Sequence, residues 1–235
     1  WIGTAPVRPY APDIYHSAIW RTWQDFGTGW SGDIGCHIFD AVWKGLGLKP
    51  PKSVVAEVQK SWQNSPERRA DTWPQGNHIT WQFPGNEMTE KDTLQLEWFD
   101  GEFYPPKEIM DLYKDGEYPA ESSMLIGTEG ALLIPHGKMP VYIPFGTPKE
   151  VKLPSLAERN HYHHFVDACL GGEKTESHFA QSGPMAEAVL LGTIAIRVPD
   201  QLLTWDSAKM KFPNYPEAEK FLKRTYRKGW EVKGF

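Results

Sequence analysis

Asp33, His37 and Asp40 are the residues whose types and spacing best suit chemistry. They stand at i, i+4 and i+7 within the stretch from Trp20 to Leu48, and on a helix those intervals place side chains along one stripe. A carboxylate beside an imidazole fixes the ring's tautomer and makes it a better base, which suits general acid or base work. A structural role accounts for the same residues. An aspartate near a helix N-terminus meets the positive end of the helix dipole, and a histidine can be a hydrogen-bonded core residue.

The stripe needs a helix to carry it. Ser31 is placed to act as N-cap, and from Gly32 onward Ile34, Ile38, Ala41 and Val42 recur at helical spacing. Gly45 or Gly47 can close the helix in the left-handed conformation. Just upstream, Gly27, Gly29 and Gly32 spell the G-x-G-x-x-G fingerprint of dinucleotide sites. That fingerprint requires an aliphatic strand before it and a βαβ unit around it. Here the preceding residues are WRTWQDF and no second βαβ unit follows, so a dinucleotide site is rejected at these glycines. They are expected instead to let backbone approach a ligand or a neighbouring segment.

Two further groups could contact a substrate. Arg8, Tyr10, Tyr15, His16, Trp20, Arg21 and Trp23 form an Arg/aromatic cluster ahead of the glycine turn. Aromatic faces with a few placed polar groups suit a sugar or polyol; packing within an extended arm is the competing role. His161, His163 and His164 form the second group. On a helix His161 and His164 share a face, available to a sugar hydroxyl, while His163 points elsewhere. No neighbouring carboxylate or thiol completes a zinc set, so no metal is expected. Glu129 reads as a solvated turn residue. No serine nucleophile elbow, phosphate loop or zinc-binding helix motif is present.

The chain's 235 residues suffice for one domain with a substantial core, preceded by an extended arm over about residues 1–26. Net charge is −5 with no basic block, which argues against nucleic acid. No apolar run is read as approaching the roughly 18 residues of a membrane span. Cys36 and Cys169 are expected to be buried thiols in helices, and they leave the compartment open between cytoplasm and periplasm.

The element pattern predicts strands over Ser53 to Trp62, His78 to Phe83 and Thr93 to Phe99, with a turn at Asp100-Gly101. Residues 63–76 read as a loop and 104–121 as an exposed excursion. Ser122 to Pro144 reads as a hairpin about Gly127–Gly130 with a further turn at Gly137-Lys138. Helices are predicted over Asn160 to Leu170, Gln181 to Val198 and Pro216 to Lys228. Strands with helices at the two ends predict an α+β fold: one large, mostly antiparallel or mixed sheet with helices packed on one face.

Several of these pieces resemble a known family. Asp25-Phe26-Gly27-x-Gly29-x-x-Gly32-Asp33-x-x-Cys36-His37 looks like the start of the C-terminal domain of the Gfo/Idh/MocA oxidoreductases. The arm with Arg8-Pro9-Tyr10, Tyr15-His16 and Trp20-Arg21-x-Trp23 resembles a bacterial branch found with sugar-degradation systems. Phe165-x-x-Ala168-x-x-Gly171-Gly172, Ser177-x-Phe179, Glu187-x-x-Leu190-Leu191-Gly192-x-Ile194-Ala195-x-Arg197 and Phe221-Leu222-x-x-x-Tyr226-Arg227-x-Gly229-Trp230 are similar too, so the resemblance covers essentially the whole chain.

The resemblance implies a substrate-binding half of an NAD(P)-dependent enzyme acting on a sugar or polyol hydroxyl. His37 would be the acid/base and Asp33 would orient substrate or histidine. NAD or NADP would be held by an N-terminal Rossmann domain that this sequence does not contain, so this chain alone would bind no cofactor tightly and be inactive. Homo-oligomers would form through the sheet. Two alternatives stand beside this reading: a glycoside-cleaving enzyme that oxidises its sugar transiently with NAD, and a non-catalytic sugar-binding or assembly module.

Overall fold

A computed structural model describes residues 1–16, 18–147, 151–152 and 154–234. In chain order the helices are α1 (Gly29–Gly45), α2 (Lys60–Gln63), α3 (Pro66–Asp71), α4 (Lys107–Met110), α5 (His161–Cys169) and α6 (Phe179–Arg197). The strands are β1 (Ser53–Val58), β2 (Asn77–Pro84), β3 (Thr93–Asp100), β4 (Ser122–Ile126), β5 (Gly130–Pro135), β6 (Val141–Pro144) and β7 (Leu203–Thr204). Two 3₁₀ turns, Trp20–Thr22 and Pro216–Phe221, complete the set.

The fold is α+β, with antiparallel sheets and helices packed against them. The single large sheet expected from the sequence is instead two sheets, ordered β3-β2-β1-β7 and β4-β5-β6. Every described pairing between these strands is antiparallel. The excursion after Gly101 carries the chain away from β3, and α1 then packs on both sheets. Ser123 Oγ on β4 donates to the Ile38 carbonyl of α1 at 2.8 Å.

Period-2 alternation sets the core face of the larger sheet. Val54, Ala56 and Val58 of β1 and Ile79, Trp81 and Phe83 of β2 point inward and are buried, while Ser53, Glu57, Thr80 and Gln82 point outward. α6 lies on the inward face. Trp81 Nε1 donates to the Ala188 carbonyl of α6 at 2.9 Å, and Phe39 of α1 meets the Trp81 ring edge-on at 5.2 Å. Glycines permit this close packing: a Cβ on Gly192 would lie 2.4 Å from Trp81 Cζ2, and one on Gly35 would lie 3.1 Å from Val189.

By length and composition α6 could cross a membrane, contrary to the sequence reading that no run approaches that length, but half of that stretch is buried in this core. Its buried residues include Met185, Leu191, Ile194 and Ile196.

Several element ends differ from expectation. α1 begins at Gly29 rather than after Ser31; Gly29 takes φ +71° against the Trp73 side chain, and Ser31 is a buried helical residue. The other end is as predicted. Gly47 has φ +56°, its N–H donates to the Lys44 carbonyl, and Leu48 N–H donates to the Trp43 carbonyl, a Schellman closure. α5 ends in the same way at Gly171 and Gly172.

β1 stops at Val58, after which Trp62 turns into the core and donates from Nε1 to the Thr72 carbonyl. The expected loop over 63–76 contains α3, capped by Ser65 with Pro66 in its first turn. The predicted last helix is only the 3₁₀ turn Pro216–Phe221. Beyond it Arg224 donates to the Gln24 and Asp25 carbonyls, and Arg227 N–H and Nη2 donate to the Thr4 and Gly3 carbonyls. Tying this segment to the arm outweighs its helical period. Both cysteines are exposed rather than buried.

Candidate functional site

The exposed side of the N-terminal half of α1 gathers the polar groups. The 3₁₀ turn Trp20–Thr22 brings Arg21 over the first turns of α1. Its Nη1 donates to Asp33 Oδ2 at 2.8 Å, and its guanidinium lies over the Trp30 ring at 5.1 Å. His37 follows one turn along the helix and is exposed. Its ring centroid is 5.2 Å from that of His136, which sits just after β5. His136 Nδ1 is in turn 3.1 Å from Glu121 Oε2. Asp40 continues the stripe and is also exposed.

The stripe therefore exists, but the pairing inside it differs from the one read from spacing. Among the described residues no hydrogen bond joins Asp33 to His37; Asp33 is committed to Arg21, and the neighbour of His37 is a second imidazole. Two imidazoles and a carboxylate beside an exposed aromatic ring can take and return a proton at a bound hydroxyl. The guanidinium–carboxylate pair offers donors and acceptors to adjacent hydroxyls.

His136, Glu121 and Trp30 escaped the sequence reading. Gly137-Lys138 marked a turn at that position, yet nothing local says that this turn meets α1, about a hundred residues earlier.

No family model matches the chain, and no curated protein matches it.

The arm residues divide between two places. Arg21 joins the α1 site. Trp20, in the same turn, is exposed. Arg8 instead pairs with Asp25 and Asp71 and lies over the Phe26 ring at 5.2 Å and the Tyr15 ring at 6.0 Å. Tyr15 also meets Trp23 at 5.2 Å and Phe26 at 5.5 Å, and Tyr10 meets Trp1 edge-on at 5.4 Å. Trp23 Nε1 donates to the Ile14 carbonyl. The His16 carbonyl accepts from the N–H groups of Ile19 and Trp20, which starts the 3₁₀ turn. Arg8, Tyr15 and Trp23 thus form an internal knot that holds the arm closed.

His161 and His164 lie on α5, whose N-cap Asn160 accepts from the Tyr162 and His163 N–H groups. His161 meets Tyr162 edge-on at 5.4 Å, and His164 Nε2 is buried without a hydrogen-bond partner. Neither shares a hydrogen bond, ion pair or ring contact with Asp33 or His37 among the described residues. No group of three or more His, Cys, Asp and Glu residues there is arranged to hold a metal ion.

The glycines Gly27, Gly29 and Gly32 do not form a dinucleotide cradle. Cβ atoms on them would meet the Arg21 backbone at 2.6 Å, the Trp73 side chain at 3.2 Å and the Thr28 side chain at 2.4 Å. The space beside each of these glycines is taken by other parts of the chain.

Proposed function

We propose that this chain is the substrate-binding half of a Gfo/Idh/MocA-type NAD(P)-dependent oxidoreductase, acting on a sugar or polyol hydroxyl with His37 as acid/base. The observation that carries the reading is the partly exposed row Trp30, Arg21–Asp33, His37 and His136 along α1. Trp30 offers a face for sugar C–H groups, Arg21 and Asp33 hold neighbouring hydroxyls, and His37 takes the proton of the hydroxyl being oxidised. Hydride acceptance belongs to a nicotinamide held mainly by a separate domain; in support, Gly27, Gly29 and Gly32 pack against protein and offer no dinucleotide cradle.

Two surfaces suit the partners of this reading. α5 buries none of its residues and exposes Tyr162, Phe165 and Val166, joined by Leu170 just after it, an apolar face of the kind that a nicotinamide-binding domain would cover. The outward face of the larger sheet carries paired polar side chains, Gln82 with Gln95 at 2.8 Å and His78 with Glu97 at 3.0 Å. That face suits contact with a second copy.

In the protein joined to its nicotinamide domain, His37→Ala is expected to lower sugar-dependent NAD(P)H formation by about 100-fold or more with unchanged circular dichroism. Unchanged turnover would sink the proposal. The engagement of Asp33 by Arg21 also favours a second reading, in which the site binds sugar without chemistry. Sugar binding that survives His37→Ala, with no turnover in any form carrying the nicotinamide domain, would support that reading.

A further inference from the structure

A cluster of arginines lies at the C-terminal end of α6, on residues other than those of the α1 row. A groove of about 340 Å³ is lined by Trp62, Pro66, Arg69, Ala70, Arg197 and Phe221. Its walls include two arginines and no acidic residue. Arg197 stacks on Phe221 at 4.0 Å and reaches towards Trp73 at 6.0 Å. Arg69 lies over Trp62 at 5.8 Å and donates from Nη2 to the Arg197 carbonyl at 3.4 Å.

A third guanidinium, Arg224, lies close enough to act on Arg197. Its charge adds to the burial that pulls the Arg197 pKa below the usual arginine value. Arg224 spends its own donors on the backbone carbonyls of Gln24 and Asp25. Among the described residues, none of the three arginines pairs with a carboxylate.

Of the three, half-buried Arg197 has the most to gain from a counter-charge. Aromatic faces attract a guanidinium but satisfy none of its N–H donors in the ring plane. Arg69 and Arg224 are exposed and keep water on their donors, whereas the charge of Arg197 is partly removed from water and gains from a partner. The Arg69 contact satisfies one carbonyl at the α6 end and leaves its other donors open to solvent. Fork-shaped donors on two arginines of one groove match a tetrahedral oxyanion, and several positive charges favour a dianion over a carboxylate. The volume equals about eleven waters, room for a phosphate and a small polar body.

We propose that the groove between Arg69, Arg197 and Phe221 binds a phosphate group, either free or carried by a small metabolite. The site is separate from the α1 row and does not depend on the oxidoreductase reading.

The test is isothermal titration calorimetry of the chain with inorganic phosphate and with a hexose 6-phosphate, against sodium chloride at matched ionic strength. Saturable one-to-one binding is expected, weakened at least about tenfold in Arg69→Gln and in Arg197→Gln. If Arg197→Gln fails to fold, Arg69→Gln carries the test, because Arg69 is exposed. Tighter binding of the ester identifies a phosphorylated metabolite as ligand, and equal binding identifies the free ion. No saturable heat from either compound, or undiminished affinity in Arg69→Gln, would overturn the proposal.

Discussion

Arg21 Nη1 stands 2.8 Å from Asp33 Oδ2, so the carboxylate that sequence spacing aims at His37 is held by a guanidinium from the preceding turn. This contact ties the turn before α1 to the first turns of that helix, and under the proposed function it sets where Asp33 would meet a substrate. Its function and its stability contribution should therefore separate. The pair is about a third exposed, and such pairs contribute about 0–1 kcal/mol. Asp33→Asn should lower stability by no more than about 1 kcal/mol in urea unfolding. In the protein joined to its nicotinamide domain, it should reduce sugar turnover by well over about tenfold. A large stability loss with normal turnover would make the pair purely structural.

His136 touches the ring of His37 and is itself oriented by Glu121. His136→Gln should reduce turnover by less than His37→Ala does, since it acts on the position of the His37 ring. Steady-state rates for the two variants, measured side by side, check this order. Equal losses would place both imidazoles on the substrate.

Asp100 is a buried carboxylate at the end of β3, accepting from the Asn77 N–H at 2.6 Å, from Asn77 Nδ2 and from Trp98 Nε1 at 2.7 Å. Burial pushes its pKa above the ordinary aspartate value, against the opposing pull of those donors. Between the ordinary and the raised value the folded state binds more protons than the unfolded state. The Asp100 contribution to stability is therefore full below the ordinary value and falls as pH rises through the raised one. Asp100→Asn should remove that downward slope. It should also cost about 1–3 kcal/mol, because an amide N–H₂ replaces one of the two acceptor oxygens. Urea unfolding at several pH values checks both effects.

Gly192 faces Trp81 with no room for a methyl group. Alanine gains about 1 kcal/mol in helix propensity, whereas overpacking a core costs about 1–3 kcal/mol. The crowding should win, because Trp81 is also held by its hydrogen bond to Ala188. Gly192→Ala should therefore lower the thermal midpoint; a rise would mean that Trp81 moves freely.

Cys36 and Cys169 are exposed in the folded chain. Both thiols should react with a thiol-titrating reagent in native buffer, giving the same stoichiometry as in denaturant. Reaction only after unfolding would contradict the structure.

How far the sequence could be read follows from the range of the forces involved. Period-2 alternation in β2, helical spacing and a closing glycine in α1, and the Gly171-Gly172 stop after α5 are local signals, and each element appears there. So does the stripe of Asp33, His37 and Asp40, because helical geometry alone places it. Partner choice was beyond local reading. The division into two sheets, the Arg21–Asp33 pair, the approach of His136 to His37 and the replacement of a last helix by contacts to the arm all join distant segments. Sequence spacing put the chemical groups on one face of α1, while only the packing of the arm and β5 around that helix decided which of them touch.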